Sequence, residues 1–232
     1  MDHFQKIYAQ HADQYQLLVS REDYQGNLLR ALGEVHRLKR ANVVEFGAGT
    51  GRLTLLLAPL VRSIRAYDAS AHMLDITRAR VQAGGFTNVT VDVADNRALP
   101  VDFGSADLAI EGWSFGHACG WYPDTWRQEV GAMLAEMRRV LRPGGTAVIL
   151  ETLGTGRETP QPPTPALAEL YAWLESEHEF TRQSLRTDYR FESLNEAEDI
   201  VRFFFGDELA AEVVANKWVK LPECTGLWWR RY

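Results

Sequence analysis

Cysteine is scarce: the 232 residues hold two, Cys119 and Cys224, with no CxxC spacing. That argues against a disulfide framework and against a structural zinc site, so no metal centre is expected. Long hydrophobic runs are missing too. The stretch Leu53 to Val61 contains Thr54 and Pro59 and is half the length a membrane helix needs, roughly 20 apolar residues. Positive charge is not in excess. Lys and Arg total 25 against 31 Asp and Glu, a net charge of −6, which argues against a broad nucleic-acid surface. The opening MDHFQKIYAQHADQY lacks a basic start followed by an apolar block. No secretory signal is therefore expected, and a cytoplasmic location is the default. What remains is a composition close to that of globular proteins, 46% hydrophobic and 24% charged, at a length that fits one domain.

Strands and helices alternate along the chain. Leu28, Leu32, Val35 and Leu38 recur at helical spacing and predict a helix over about 24–40. Ala41 to Phe46 reads as a buried strand, and Leu53 to Leu60 as the next helix. Ser63–Tyr67, Val89–Val93 and Ala106–Glu111 are expected as strands, with a helix over Ala71–Ala83 between the first two. A long helix follows to Leu141, then a stop at Arg142–Gly145 and a strand over Thr146–Glu151. Such alternation implies parallel βαβ units. Residues 153–165 hold Gly154, Gly156 and four prolines and read as a loop or lid. Beyond it the pattern predicts a short helix near Leu167–Leu174 and a strand over Phe180–Phe191. Helices over Leu194–Phe205 and Asp207–Asn216 and a last strand over Thr225–Tyr232 follow. The reading is thus one domain: a helical cap (1–40), a core (41–152) and a C-terminal third (153–232) that completes the sheet.

The most informative segment is VVEFGAGTGRLT, residues 43–54. A buried strand runs straight into Gly47, Gly49 and Gly51, and a helix follows. Glycines there permit positive φ and close backbone approach to a ligand at the carboxyl end of a strand. The dinucleotide pattern GxGxxG fails, because its third glycine would fall at Arg52. No Lys-Ser or Lys-Thr follows, so the phosphate-loop pattern is absent as well. Asp68 ends the second strand, 17 residues after Gly51, where a carboxylate can accept from both hydroxyls of a ribose. In ADNRALP, residues 94–100, Asp95 can accept from an adenine amine.

With EFGAGTG, YDAS, ADNRALP, SADLAIEG and MRRVLRPGGTAVILE in this order, the stretch Val43–Glu151 resembles the class I S-adenosylmethionine-dependent methyltransferases. The likeness is to the small-molecule branch that methylates quinones and other metabolites. It implies a Rossmann-like α/β fold: a seven-stranded sheet of order 3-2-1-4-5-7-6 with the last strand antiparallel, flanked by helices and topped by an N-terminal helical cap. It implies S-adenosylmethionine as cofactor and S-adenosylhomocysteine as product. Within the turn that also carries Ala48 and Gly51, Gly47 and Gly49 leave room for the cofactor. Glu45 holds the turn and approaches the methionyl amine. Asp68 takes the ribose, Ala69 and Met73 pack on the adenine, Asp95 and Asn96 address its edge, and Glu111 and Gly112 close the methionyl side. Met73 as plain core and Asn96 as a plain turn residue stay open alternatives.

Methyl transfer from a sulfonium needs alignment, exclusion of water and, for some acceptors, a base. The acceptor is expected beyond the fourth strand, walled by Trp113, Phe115, Trp121 and Tyr122 of EGWSFGHACGWYPD. His117 is the candidate base, with helix cap as the alternative. Tyr8 and Tyr15 are candidates to cover the cofactor and acceptor, with Tyr15 as plain core the open alternative. Arg186 and Tyr189 are candidates to recognise a polar acceptor group. The partner expected is thus a small-molecule acceptor, with no nucleic acid and no membrane span. Two other functions compete. One is a regulatory module that binds S-adenosylmethionine or S-adenosylhomocysteine without turnover. The other, weakened by the Arg52 mismatch, is a nicotinamide oxidoreductase.

Overall fold

A computed structural model describes residues 3–232. Its elements in chain order are α1 (His3–Gln10), α2 (Ala12–Arg21), α3 (Asn27–Val35), β1 (Asn42–Phe46), α4 (Arg52–Leu57), β2 (Ser63–Asp68), α5 (Ala71–Ala83), β3 (Val89–Val93) and β4 (Ala106–Gly112). Then come α6 (His117–Trp121), α7 (Trp126–Val140), β5 (Leu141–Thr155), α8 (Pro165–Ser176), β6 (Thr181–Arg186) and β7 (Tyr189–Arg190). Last are α9 (Leu194–Phe205), α10 (Asp207–Ala215), β8 (Lys220–Leu221) and β9 (Glu223–Arg231).

Among the described residues, seven strands form one sheet in the order β3-β2-β1-β4-β5-β9-β6. With β6 and β9 as its sixth and seventh strands, this is the expected 3-2-1-4-5-7-6. The first five strands pair in parallel, and β9 runs antiparallel to both β5 and β6. The period-two alternation of β1 explains the layering. Val43 joins Leu28, Leu32, Leu57 and Leu74 on one face of the sheet. Val44 and Phe46 join Val130, Met137, Tyr171 and Trp228 on the other. A third cluster unites the two ends of the chain: Ile7 and Leu18 of α1 and α2 pack with Val201, Phe204 and Val213 of α9 and α10. The N-terminal cap is therefore held by the C-terminal third.

The differences from expectation have local causes. The helix expected over 24–40 spans Asn27–Val35. The Asp23 carboxylate caps it by accepting from the backbone N–H groups of Asn27 (2.9 Å) and Leu28 (3.0 Å), and His36 turns extended. Strand β5 does not begin at Thr146. It passes through Arg142–Gly145 as an irregularity, pairing Leu141 with Ala106 and then Thr146 with Leu108. It also continues to Thr155, which pairs with Glu223, so the proline-rich loop starts later than 153. The strand expected over Phe180–Phe191 is broken in two. Thr187 bonds its hydroxyl to Thr225 (2.6 Å), and Asp188 accepts from the Glu223 N–H (2.9 Å). Tyr189–Arg190 then leaves the main sheet and pairs with Lys220–Leu221.

Candidate active site

The loop after β1 lies where the strand order reverses, with β2 on one side of β1 and β4 on the other, the position at which open α/β sheets bind ligands. Gly47, Gly49 and Gly51 have φ of +66°, +55° and +82°, left-handed values that disfavour side chains. A Cβ at Gly47 would sit 2.5 Å from Ser114 Oγ, and one at Gly49 3.6 Å from Met73 Cε. Gly51 serves packing alone, since its Cβ would lie 2.9 Å from Thr77 Cγ2, whereas Gly47 both makes room for Ser114 and faces the chamber over the loop.

A chamber of about 420 Å³ opens over Gly47 and Gly49. Asp68, Ala69 and Met73 line one side, and Asp95, Asn96, Gly112 and Tyr122 line others. Asp68 Oδ2 accepts from the Gly49 N–H and Oδ1 from the Ser70 N–H, each at 2.8 Å. Burial pushes its carboxyl above the ordinary value, against these bonds. Among the described residues, Asn96 Oδ1 is buried without a partner. Asp95 is engaged by Arg97, whose Nε donates at 2.8 Å and whose hydrogen bonds, and then its charge, hold the Asp95 carboxyl low. The cradle fits a nucleoside: glycine clearance below, an oriented carboxylate at one edge, and an unsatisfied amide oxygen at another.

Several expected contacts lie outside this wall. Glu45 is buried beneath the loop, where Thr54 Oγ1 donates to its Oε2 at 2.6 Å. Burial pushes its carboxyl up to about 8. Ala48 is buried and donates its N–H to Tyr67 O at 2.8 Å. Glu111 Oε2 accepts from Ser114 N and Oγ, both at 3.1 Å, and so shapes the loop after β4 from behind. Burial, and then the charge of Glu151, pushes Glu111 well up, while burial holds Glu151 up to about 7.

A second chamber, of about 820 Å³, lies against the first. Tyr8, Tyr15, Trp113, His117 and Trp121 line both. The His117 ring stacks on Trp121 (centroids 4.9 Å apart, planes 10° apart), and its Nε2 lies 2.7 Å from the Tyr8 hydroxyl. Burial pushes the Tyr15 hydroxyl up to about 12, keeping it a neutral donor. Pro162 and Pro163 of the proline-rich loop, Leu167, Phe204 and Phe205 make the rest largely apolar. Tyr189 also lines it. Phe115 and Tyr122 do not: Phe115 is core, edge-on to Phe46 at 6.2 Å, and Tyr122 lines the smaller chamber. Arg186 lines neither chamber and donates through Nε to Asp188 at 2.8 Å.

Sequence reasoning missed Ser114, Glu22, Glu223 and the α9 aromatics. Ser114 was within reach, being next to Trp113. Glu22 and Glu223 have no local signature, because a helix end and a strand start bring them together only in the folded chain.

Residues 43–145 match the methyltransferase domain family. The uncharacterized protein YafE of Escherichia coli is 33% identical over 110 residues, covering 47% of this chain and 49% of its own. A demethylmenaquinone methyltransferase of Shouchella clausii is 28% identical over 173 residues, covering 73% of this chain and 66% of its own. The chain thus spans less than two thirds of these relatives. In fold it is similar to a SAM-dependent methyltransferase of Aquifex aeolicus, with TM-score 0.55, 16% identity, and coverage of 86% of this chain and 87% of that one.

Proposed function

We propose, from the premise that residues 43–145 belong to the methyltransferase domain family, that this chain transfers a methyl group to a small-molecule acceptor. S-adenosylmethionine is the cofactor, and when bound it supplies a methyl group already activated by a positive sulfur. The observation that carries the reading is the pair of adjoining chambers with a common wall, one shaped for a nucleoside and the other apolar. In this reading Gly47 and Gly49 clear the way for the cofactor, Asp68 holds the ribose, and Met73, Ala69 and Asn96 hold the adenine. Trp113, Trp121, Tyr8 and Tyr189 surround the acceptor and exclude water. The chain works as one unit, with residues 1–40 as the cap, 41–152 as the core and 153–232 completing sheet and acceptor chamber.

A calorimetric titration with S-adenosylhomocysteine, with NAD as comparison, tests this. Micromolar binding of the first alone is expected, followed by methyl transfer in a metabolite screen. NAD binding, or no binding of either, would sink the reading. Cofactor binding without transfer to any acceptor would favour the regulatory module.

His117 takes the role of base, since its ring reaches both chambers and its Nε2 is paired with the Tyr8 hydroxyl. For an acceptor that loses a proton, His117→Ala is expected to lower kcat about 100-fold, with a far smaller change in S-adenosylhomocysteine affinity. Unchanged kcat at saturating acceptor would remove His117 from the chemistry.

A further inference from the structure

One end of the larger chamber is polar, and its polar atoms are unfinished. Glu22, after α2, Arg52, at the start of α4, and Glu223, at the start of β9, all line it. Arg52 Nη1 donates to Glu22 Oε2 at 2.7 Å, and the guanidinium lies 3.8 Å from the Trp113 ring centroid. Arginine–carboxylate pairs commonly close with two parallel bonds. This one closes with one, and among the described residues Arg52 Nη2 and Glu22 Oε1 are buried without a close hydrogen-bond partner, although the Tyr189 hydroxyl also faces the Glu22 carboxylate. The Glu22 side chain is only 4% exposed. Glu223 uses Oε1 to accept from Thr152 Oγ1 at 2.8 Å, with the Thr155 hydroxyl beside it, and among the described residues its Oε2 is likewise buried without a close partner. Burial, and then the charge of Glu22, pushes the Glu223 carboxyl up to about 8. Near neutral pH it therefore keeps a proton.

We propose, resting on the methyltransferase reading above, that Glu22, Arg52 and Glu223 form the specificity subsite of the acceptor chamber, and that it selects acceptors carrying a neutral hydroxyl. The unfinished set comprises a donor on Arg52, an acceptor on Glu22 and a carboxyl on Glu223. A hydroxyl offers one donor and two acceptor lone pairs, which complements all three. An ether accepts without donating and leaves Glu22 Oε1 unpaired. A carboxylate also only accepts, and it meets the Glu22 charge while the Arg52 charge is already neutralised. An ammonium only donates and meets Arg52. Leaving one buried polar group unpaired costs enough for about tenfold in affinity.

The test uses the full chain saturated with S-adenosylhomocysteine and three probes that share a 4-propylphenyl body: 4-propylphenol, 4-propylanisole and 4-propylbenzoate. Binding is followed by calorimetry or by tryptophan fluorescence, since Trp113 and Trp121 line the chamber. The phenol is expected to bind about tenfold or more tighter than either of the others. Glu22→Gln removes the negative charge and turns an amide N–H₂ toward the ligand. In that variant the benzoate is expected to gain about tenfold relative to the phenol. Equal affinities of phenol and anisole for the wild-type protein would mean that an ordered water fills the subsite, and would overturn the proposal without any variant. Absence of phenol binding at millimolar concentration, or an unchanged order of preference in Glu22→Gln, would overturn it as well. Failure of S-adenosylhomocysteine itself to bind would instead sink the methyltransferase reading. A loss of S-adenosylhomocysteine affinity in Glu22→Gln with no change in probe preference would assign the subsite to the cofactor, against the proposal.

Discussion

Replacing Asp68 with Ala is expected to weaken S-adenosylhomocysteine binding about 100-fold or more. Parallel pairing with β1 and β3 brings Asp68 to the carboxyl end of β2, next to the glycine loop. Its two oxygens are each fixed by a backbone N–H, from Gly49 and from Ser70, at 2.8 Å. An ionised carboxylate has about four acceptor sites, so two remain for a pair of ribose hydroxyls. Bonds to a charged acceptor contribute about 1.5–3 kcal/mol each, and the substitution removes both together with the anchor of the Gly49 N–H. Asp68→Asn keeps one acceptor oxygen and is expected to fall between the two. Calorimetry decides, with thermal melting of the cofactor-free variants as the check on folding. A change of less than threefold in Asp68→Ala would remove Asp68 from the binding site.

The second large effect is on stability against pH. Burial raises Glu45 from an ordinary 4.5 to about 8, Glu223 to about 8 and Glu151 to about 7. In each case the folded chain holds its proton to higher pH than the unfolded chain. Between pH 4.5 and 8 the folded state therefore binds more protons, and stability falls as pH rises. The stabilisation is fully present below the unfolded value and is lost as pH climbs through the folded one. Glu45 alone is expected to account for a loss on the order of 4 kcal/mol across that window. Glu45→Gln leaves an oxygen to accept from Thr54 and cannot ionise. The variant should match the wild-type protein near pH 5 and exceed it by several kcal/mol near pH 8. Denaturant unfolding of the cofactor-free proteins across that range measures this. A wild-type profile that is flat from pH 5 to 8, or a variant profile parallel to it, would contradict the assignment.

The parallel core was legible because two periodicities announce it: runs such as Ala41–Phe46 entering glycines, and helical repeats such as Leu53, Leu56, Leu57 and Leu60. Asp68 was legible for the same reason, since a strand of known phase ends on it. What covers each side chain was not. Glu45 is core because Thr54 of α4 covers its carboxyl, and Phe115 because the loop after β4 packs it on Phe46. No local pattern carries that information. The break at Thr187–Asp188 was hidden because its bonding partners, Thr225 and Glu223, are more than 30 residues away. Glu22, Arg52 and Glu223 stayed invisible as a group for the same reason. Each is ordinary on its own element, and only their incomplete bonding marks them.

The shared wall has one further consequence. Tyr8, Tyr15, Trp113, His117 and Trp121 present atoms to both chambers, so a shift of any of these rings is felt on both sides. Occupancy of the two chambers is then thermodynamically linked, and linkage is reciprocal. Whatever factor the cofactor imposes on acceptor affinity, the acceptor imposes on the cofactor. Because α1 and α2 are clamped by α9 and α10 through Ile7, Leu18 and Phe204, the strength of that linkage rests on a joint between the two ends of the chain.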